Sequence, residues 1–207
     1  MSNLKIAILG WGSLIWNPGS LAIDKKIGQE GWFSDGPILP IEFSRISNKG
    51  RLTLVIDPNG KEVQVLYSIS LSGVLFNAIS NLAGREGNCD HKEIAFVIIK
   101  GRYYSSPKNF QFAEAIKSWI EGKKDIDAVI WTNLPEKLWY ENDKKVKIDV
   151  QRDDLVMYLN DLPPTKRILA EEYIRRAPKI IDTPTRRKIE SELGWTQDNS
   201  QKVTRII

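Results

Sequence analysis

The strand-forming runs of this 207-residue chain crowd into its first half, and that uneven distribution most limits the folds open to it. Leu4-Lys5-Ile6-Ala7-Ile8-Leu9 is short and almost wholly apolar, as a buried strand is. Ile38 to Ile46, Arg51 to Ile56 and Glu62 to Ile69 follow. Asp57-Pro58-Asn59-Gly60, between the last two, has the proline and Asn-Gly chemistry of a hairpin turn, so the spacing predicts a meander of antiparallel strands. A helix is expected from about Ser72, where Val74, Leu75, Ala78, Ile79 and Leu82 recur at helical spacing and Gly84 supplies a stop. Beyond it, Glu93 to Lys100 reads as a strand, Asn109 to Glu121 as a helix and Asp127 to Thr132 as a buried strand. Gln151 to Leu159 is expected to be helical, and Pro163-Pro164 punctuates the chain. Leu169, Tyr173 and Ala177 then line one helical face, and Thr183-Pro184 opens a last helix that Gly194 closes. The reading is α+β: a mixed core over residues 1–135 and a mainly helical C-terminal extension over 136–207, packed on it.

Composition narrows the chemistry. With 42% hydrophobic and 27% charged residues the chain is an ordinary globular one, and its formal charge of +4 permits an anionic partner without demanding it. One cysteine, Cys89, and one histidine, His91, exclude a disulfide framework, a zinc ribbon and a His-rich metal centre. Catalysis must therefore rest mainly on carboxylates, hydroxyls, backbone groups or that one histidine. No segment reaches the roughly 20 apolar residues that cross a bilayer, so no membrane partner is expected. The apolar stretch Ile6 to Ile15 is broken by Gly10, Gly12 and Ser13 and reads as a strand and turn rather than a signal peptide; a cytoplasmic location follows as the default.

Two segments carry candidate chemistry. In Gly10-Trp11-Gly12-Ser13-Leu14-Ile15-Trp16-Asn17-Pro18 a glycine-flanked turn follows the first strand, where missing side chains let backbone N–H groups approach a ligand. The turn fails as a dinucleotide fingerprint, since Ile15 occupies the place of the third glycine. A structural turn and a ligand-binding turn both fit it. In Leu82-Ala83-Gly84-Arg85-Glu86-Gly87-Asn88, Glu86 follows the expected end of an amphipathic helix, whose negative dipole end disfavours a carboxylate and pushes its pKa upward, toward general acid–base use. Arg85 opposes that shift if it points inward. The plainer reading is a solvated glutamate in a helix-ending loop.

Taken together, the two segments resemble the γ-glutamylcyclotransferase-like proteins. Gly-Trp-Gly-Ser-Leu-Ile-Trp-Asn-Pro is similar to their Tyr-Gly-Ser-Leu signature, closest to the ChaC-like branch, and Arg85-Glu86-Gly87 is similar to the family's glutamate segment after a helix. Trp11 stands where the family usually has tyrosine, which keeps an aromatic wall and removes a phenol hydroxyl. The resemblance implies a small mixed β-barrel flanked by helices over the first 135 residues, and cyclisation of a small-molecule γ-glutamyl substrate to 5-oxoproline. It further implies Glu86 as proton shuttle and a substrate cradle of Trp11, Gly12, Ser13 and Leu14 acting through backbone groups, with neither metal nor cofactor. The C-terminal region, including Tyr173 to Pro178 and Ile189 to Trp195, has no counterpart in it.

Other residues admit competing readings. Cys89 and His91 form a Cys-x-His pair that could supply a nucleophile and base, or be incidental. Arg45 reads as a strand-end surface arginine or a partner for a substrate carboxylate. Lys166, Arg167, Arg175, Arg176, Lys179, Arg186, Arg187 and Lys188 suggest a nucleic-acid or protein-binding module. Their interleaving with Glu171, Glu172, Glu190 and Glu192 favours a salt-bridged helix surface over a phosphate-tracking stripe. A catalytically inactive small-molecule-binding relative is a third alternative. Trp119 and Trp131, on expected helix and strand faces, read as packing residues.

Overall fold

Every residue of the first strand is buried, as an all-apolar run with a neighbour on each side requires. The computed structural model describes residues 3–47, 49–87, 89–99, 104–108, 110–134 and 154–198. In chain order the elements are β1 (Ile6–Gly10), β2 (Ile38–Ile46), β3 (Leu52–Ile56), β4 (Lys61–Gln64), β5 (Leu66–Ile69), α1 (Leu75–Arg85), β6 (Ile94–Ile98), β7 (Tyr104–Ser106), α2 (Ala113–Glu121), β8 (Ala128–Thr132), α3 (Asp154–Asn160), α4 (Pro164–Arg176) and α5 (Pro184–Leu193). A 3₁₀ turn, His91–Glu93, precedes β6. Residues 136–153 and 199–207 of the expected extension lie outside the described residues, and with them the start of the helix expected at Gln151.

The strands form a five-stranded sheet in the order β5-β1-β8-β6-β7 and a three-stranded one in the order β3-β2-β4. β1 pairs antiparallel with β5 and parallel with β8; β8 to β6 and β6 to β7 are antiparallel. A parallel pair needs a long crossover, and α1 and α2 both lie in the chain between β1 and β8. The α+β mixture is as expected, but the closed barrel is not seen: among the described residues the strands divide between two sheets.

The expected meander is also redrawn. The 57–60 turn forms, with the Gly60 N–H donating to the Asp57 carbonyl at 2.8 Å and the Asn59 N–H to Asp57 Oδ1 at 2.8 Å. Yet the strands it joins, β3 and β4, are not paired; β2 runs between them. The turn backbone crosses β2 so closely that a Cβ on Gly60 would stand 2.8 Å from the Ile41 carbonyl carbon. The single strand expected over Glu62 to Ile69 is two, interrupted at Val65, whose N–H donates to Pro37 O and whose carbonyl accepts from Gly36 N.

The chain divides into two compact units, residues 1–40 with 62–134, and 41–61 with 135–207. The core of the first gathers Ile6 and Ile8 of β1, Leu14, Leu21, Ile23, Trp32, Ala78, Ile79, Leu82 and Ala83 of α1, and residues of β6 and β8. Complete burial of one such Leu or Ile side chain contributes about 1.5–3 kcal/mol. α1 begins at Leu75, later than expected, after the Ser72 hydroxyl has accepted a hydrogen bond from the Val74 N–H. It also runs through Gly84, which stays helical; the left-handed residue is Gly87, with φ of 82°.

In the second unit, α4 starts with Pro164 in its first turn and buries Ala170, Tyr173 and Ile174. Of the expected face, Tyr173 and Ala177 are buried, while Leu169 is exposed and Ala170 takes its place. α5 is capped as expected, by the Thr183 hydroxyl accepting from the Arg186 N–H at 3.2 Å and by Gly194 in the left-handed region. Five basic residues of these helices are ion-paired: Arg175 with Glu171, Arg176 with Glu172, Arg186 with Glu190, Lys188 with Glu192 and Arg187 with Asp182. Among the described residues no helix is long and apolar enough to cross a membrane.

Candidate active site

The glycine turn leaves the end of β1 and is held from both sides. Within it, the Ile15 N–H donates to Gly12 O at 3.0 Å and the Asn17 N–H to Ser13 O at 2.9 Å. The Leu14 side chain is 5% exposed and belongs to the core with Leu82 and Ala83, so the turn is pinned by its apolar residue. Trp11 is equally buried. Among the described residues, the N–H groups of Gly12, Ser13 and Leu14 donate to no carbonyl or side chain.

On the other side lies α1. Asn81 and Arg85, four residues apart, share one helix face. The Asn81 amide donates to Ser20 O at 3.0 Å and accepts from the Ala22 N–H at 2.8 Å. Arg85 reaches the glycine turn itself, its Nη2 donating to Asn17 O at 2.6 Å and to Ser13 Oγ at 3.1 Å. Its Nη1 donates to Glu86 Oε1 at 2.6 Å.

Glu86 caps the C-terminal end of α1, its N–H still donating to Leu82 O at 3.0 Å, before Gly87 turns the chain away. The left-handed φ at Gly87 ends the helix there, since a residue with a Cβ is strained in that conformation. The Arg85 and Glu86 side chains are 11% and 19% exposed, so the ion pair is largely withdrawn from water. Oε1 carries the guanidinium bond, while Oε2 accepts no hydrogen bond among the described residues.

The structure thus brings Ser13 and Glu86 onto one guanidinium, with Gly12 and Leu14 beside Ser13 in the turn. Arg85, weighed in the sequence only as a neighbour of Glu86, is the residue that joins the two segments. Its helical i,i+4 relation to Asn81 was visible in the sequence, but nothing there marked the carbonyls it would meet.

The remaining candidates fall elsewhere. Cys89 is half-buried, and burial, reinforced by the carboxylates of Glu93, Glu86 and Asp90, pushes its thiol up to about 11, opposite to what a nucleophile needs. His91 opens the 3₁₀ turn with its ring edge-on to Phe76, 5.4 Å between centroids. Arg45 lies on β2, its carbonyl accepting from the Thr53 hydroxyl at 3.0 Å. Trp131 is buried against Phe110, and Trp119 meets Tyr67 edge-on. Among the described residues no three His, Cys, Asp or Glu side chains are grouped to hold a metal ion.

Two features had no sequence signal. Trp32 packs across Gly10, at the start of the turn. Lys123 lies over the rings of Tyr67 and Trp119 and is ion-paired with Asp35.

Compared with protein-family models, curated proteins and solved structures, the chain matches none of them.

Proposed function

We propose that the chain is a γ-glutamylcyclotransferase-like enzyme of the cytoplasm, with the barrel-type fold of that family as the finer description of its α+β core. It would cyclise the γ-glutamyl group of a small substrate to 5-oxoproline and release an amine, amino acid or peptide. The observation that carries the reading is the shared guanidinium: the glycine turn and the helix-end glutamate, distant in sequence, meet on Arg85. An incidental pair of motifs has no reason to converge.

The reaction asks little of the protein beyond this arrangement. The substrate carries its own nucleophile, its free α-amine, so folding the γ-glutamyl chain into reach provides most of the rate advantage that proximity can give. The amine must lose a proton. Oε2 of Glu86, the oxygen opposite the guanidinium bond, is the acceptor, and Arg85 holds Oε1. The amine nitrogen bonds to the γ-carbonyl carbon, and negative charge moves to the carbonyl oxygen. The backbone N–H groups of Gly12, Ser13 and Leu14 are donors for that oxyanion or for the substrate carboxylate. The old carbon–nitrogen bond then breaks, and Glu86 returns the proton to the departing nitrogen. The buried Trp11 forms an aromatic wall beside these groups.

The test is incubation of the protein with γ-glutamyl amino acids, peptides and amines, with 5-oxoproline as the product measured. Wild type is expected to release it from at least one member. Glu86→Gln, folded as judged by circular dichroism, loses at least about a hundredfold in rate, the low end for positioned acid–base catalysis. Silence of wild type on the whole panel, or full activity of Glu86→Gln, overturns the reading.

A further inference from the structure

We infer that Arg85 is the positioning residue of this site: one guanidinium fixes the glutamate and the glycine turn relative to each other. The inference rests on the cyclotransferase reading for its kinetic consequences, though not for its structural one.

The geometry assigns each donor a task. Nη1 takes Glu86 Oε1 at 2.6 Å, which sets the rotation of the carboxylate and leaves Oε2 on the other side. Nη2 takes Asn17 O and Ser13 Oγ at 2.6 and 3.1 Å, one contact at each end of the segment whose internal bonds join Gly12 to Ile15 and Ser13 to Asn17. A planar fork of fixed donors is suited to hold groups at set angles; a lysine ammonium is a point charge on a flexible stem. The site is also partitioned. Asn81, one helical turn back, secures Ser20 and Ala22 without Arg85, so among the described residues the guanidinium is the polar tie from α1 to Ser13 and Asn17. Leu14 remains in the core whatever occupies position 85. Loss of the fork therefore leaves the fold in place and lets two ends of one reaction site drift apart. Displacement of a reacting group by about 1 Å costs on the order of a hundredfold in rate.

Because the Arg85 side chain contacts neither γ-carbonyl nor amine in this scheme, the loss falls on kcat rather than KM. Ser13 also accepts a charge-assisted hydrogen bond, which leaves its own hydroxyl hydrogen to donate onward.

The experiment compares wild type, Arg85→Ala and Arg85→Lys by amide hydrogen exchange and by kinetics. In Arg85→Ala the Ile15 and Asn17 amides exchange faster while that of Ala22, bound to Asn81, keeps its rate. On the active substrate, kcat falls about a hundredfold with KM nearly unchanged, Arg85→Lys recovers little, and guanidinium chloride at sub-denaturing concentration restores part of kcat to Arg85→Ala. Unchanged exchange at Ile15 and Asn17, or an unchanged kcat, overturns the assignment. A loss of kcat that added guanidinium leaves untouched also overturns it, since the defect would then be one of folding. If wild type releases no 5-oxoproline, the cyclotransferase reading falls by itself, and the exchange comparison still decides whether Arg85 holds the turn.

Discussion

Trp32 lies over Gly10 so closely that a Cβ at position 10 would stand 2.6 and 2.7 Å from two carbons of its indole ring. The ring cannot retreat easily: it is 4% exposed, and its own backbone is bonded in both directions to Gln29. Phe33, the next residue, exchanges a further pair of hydrogen bonds with Tyr67. The glycine that ends β1 is thus required for close packing, which is a different demand from ligand approach.

Gly10→Ala is expected to destabilise the protein by about 1–3 kcal/mol, the range for forcing a methyl group into a filled core. The midpoint of urea unfolding measures it. Adding Trp32→Leu to that variant makes room for the methyl group, so the two changes together cost less than their sum. Simple additivity would mean that the two residues do not press on each other.

Arg186 is 3% exposed and donates to the carbonyls of Pro178, Ile181, Ala177 and Ile174 and to Glu190. Its removal takes a charged donor from each of those acceptors. Arg186→Ala therefore costs at least about 2 kcal/mol, as expected when a charged donor is taken from buried carbonyl acceptors. Arg186→Lys recovers only a minor share, because one ammonium cannot span five acceptors set around a fork. A thermal-denaturation series separates the variants; a loss below about 1 kcal/mol for Arg186→Ala would refute the role given to it.

Thr183→Ala removes the hydroxyl that accepts from the Arg186 N–H, at a position with no solvent exposure. The expected loss is about 1 kcal/mol, typical of an N-cap threonine. Thr183→Ser keeps the oxygen and most of that stability. Equal losses in both variants would assign the effect to the missing methyl group.

The raised Cys89 thiol has two consequences. Against an ordinary value of 9.0 and a folded value of about 11, its thiolate fraction near pH 8 is lower by about a hundredfold, so alkylation by iodoacetamide is slow until the chain unfolds. The folded state also holds that proton more tightly than the unfolded chain does. Stability from this group is therefore full below pH 9 and declines as pH rises from about 9 to about 11. Alkylation rates with and without urea test the first consequence, and unfolding midpoints across that pH range the second. Rapid labelling of the folded protein would contradict both.

Most elements were legible because local chemistry decides them. The uniform apolar run before Gly10 made β1, and Thr183-Pro184 with Gly194 bounded α5, since each signal lies within one turn of the residue it controls. Pairing was less legible. The Asp57–Gly60 turn has hairpin chemistry and the turn does form, but whether β2 lies between the strands it joins depends on partners distant in sequence. β7, with three residues and little apolar character, offers no pattern to read. Gly84 and Gly87 show the same limit at a helix end: both are glycines near its close, and only the backbone conformation reveals that the second one turns the chain.

Local chemistry sets the turn after the first strand, the helix before Glu86 and the side chains available to a reaction in a chain with one histidine and one cysteine. That these pieces meet is a property of the packed chain. An arginine's reach is fixed by its length, but its partners are fixed by the carbonyls and hydroxyls that other segments bring to it. The meeting of Ser13, Asn17 and Glu86 on Arg85 follows from the packing of Leu14 against α1, a contact between residues far apart in the chain that no local periodicity encodes.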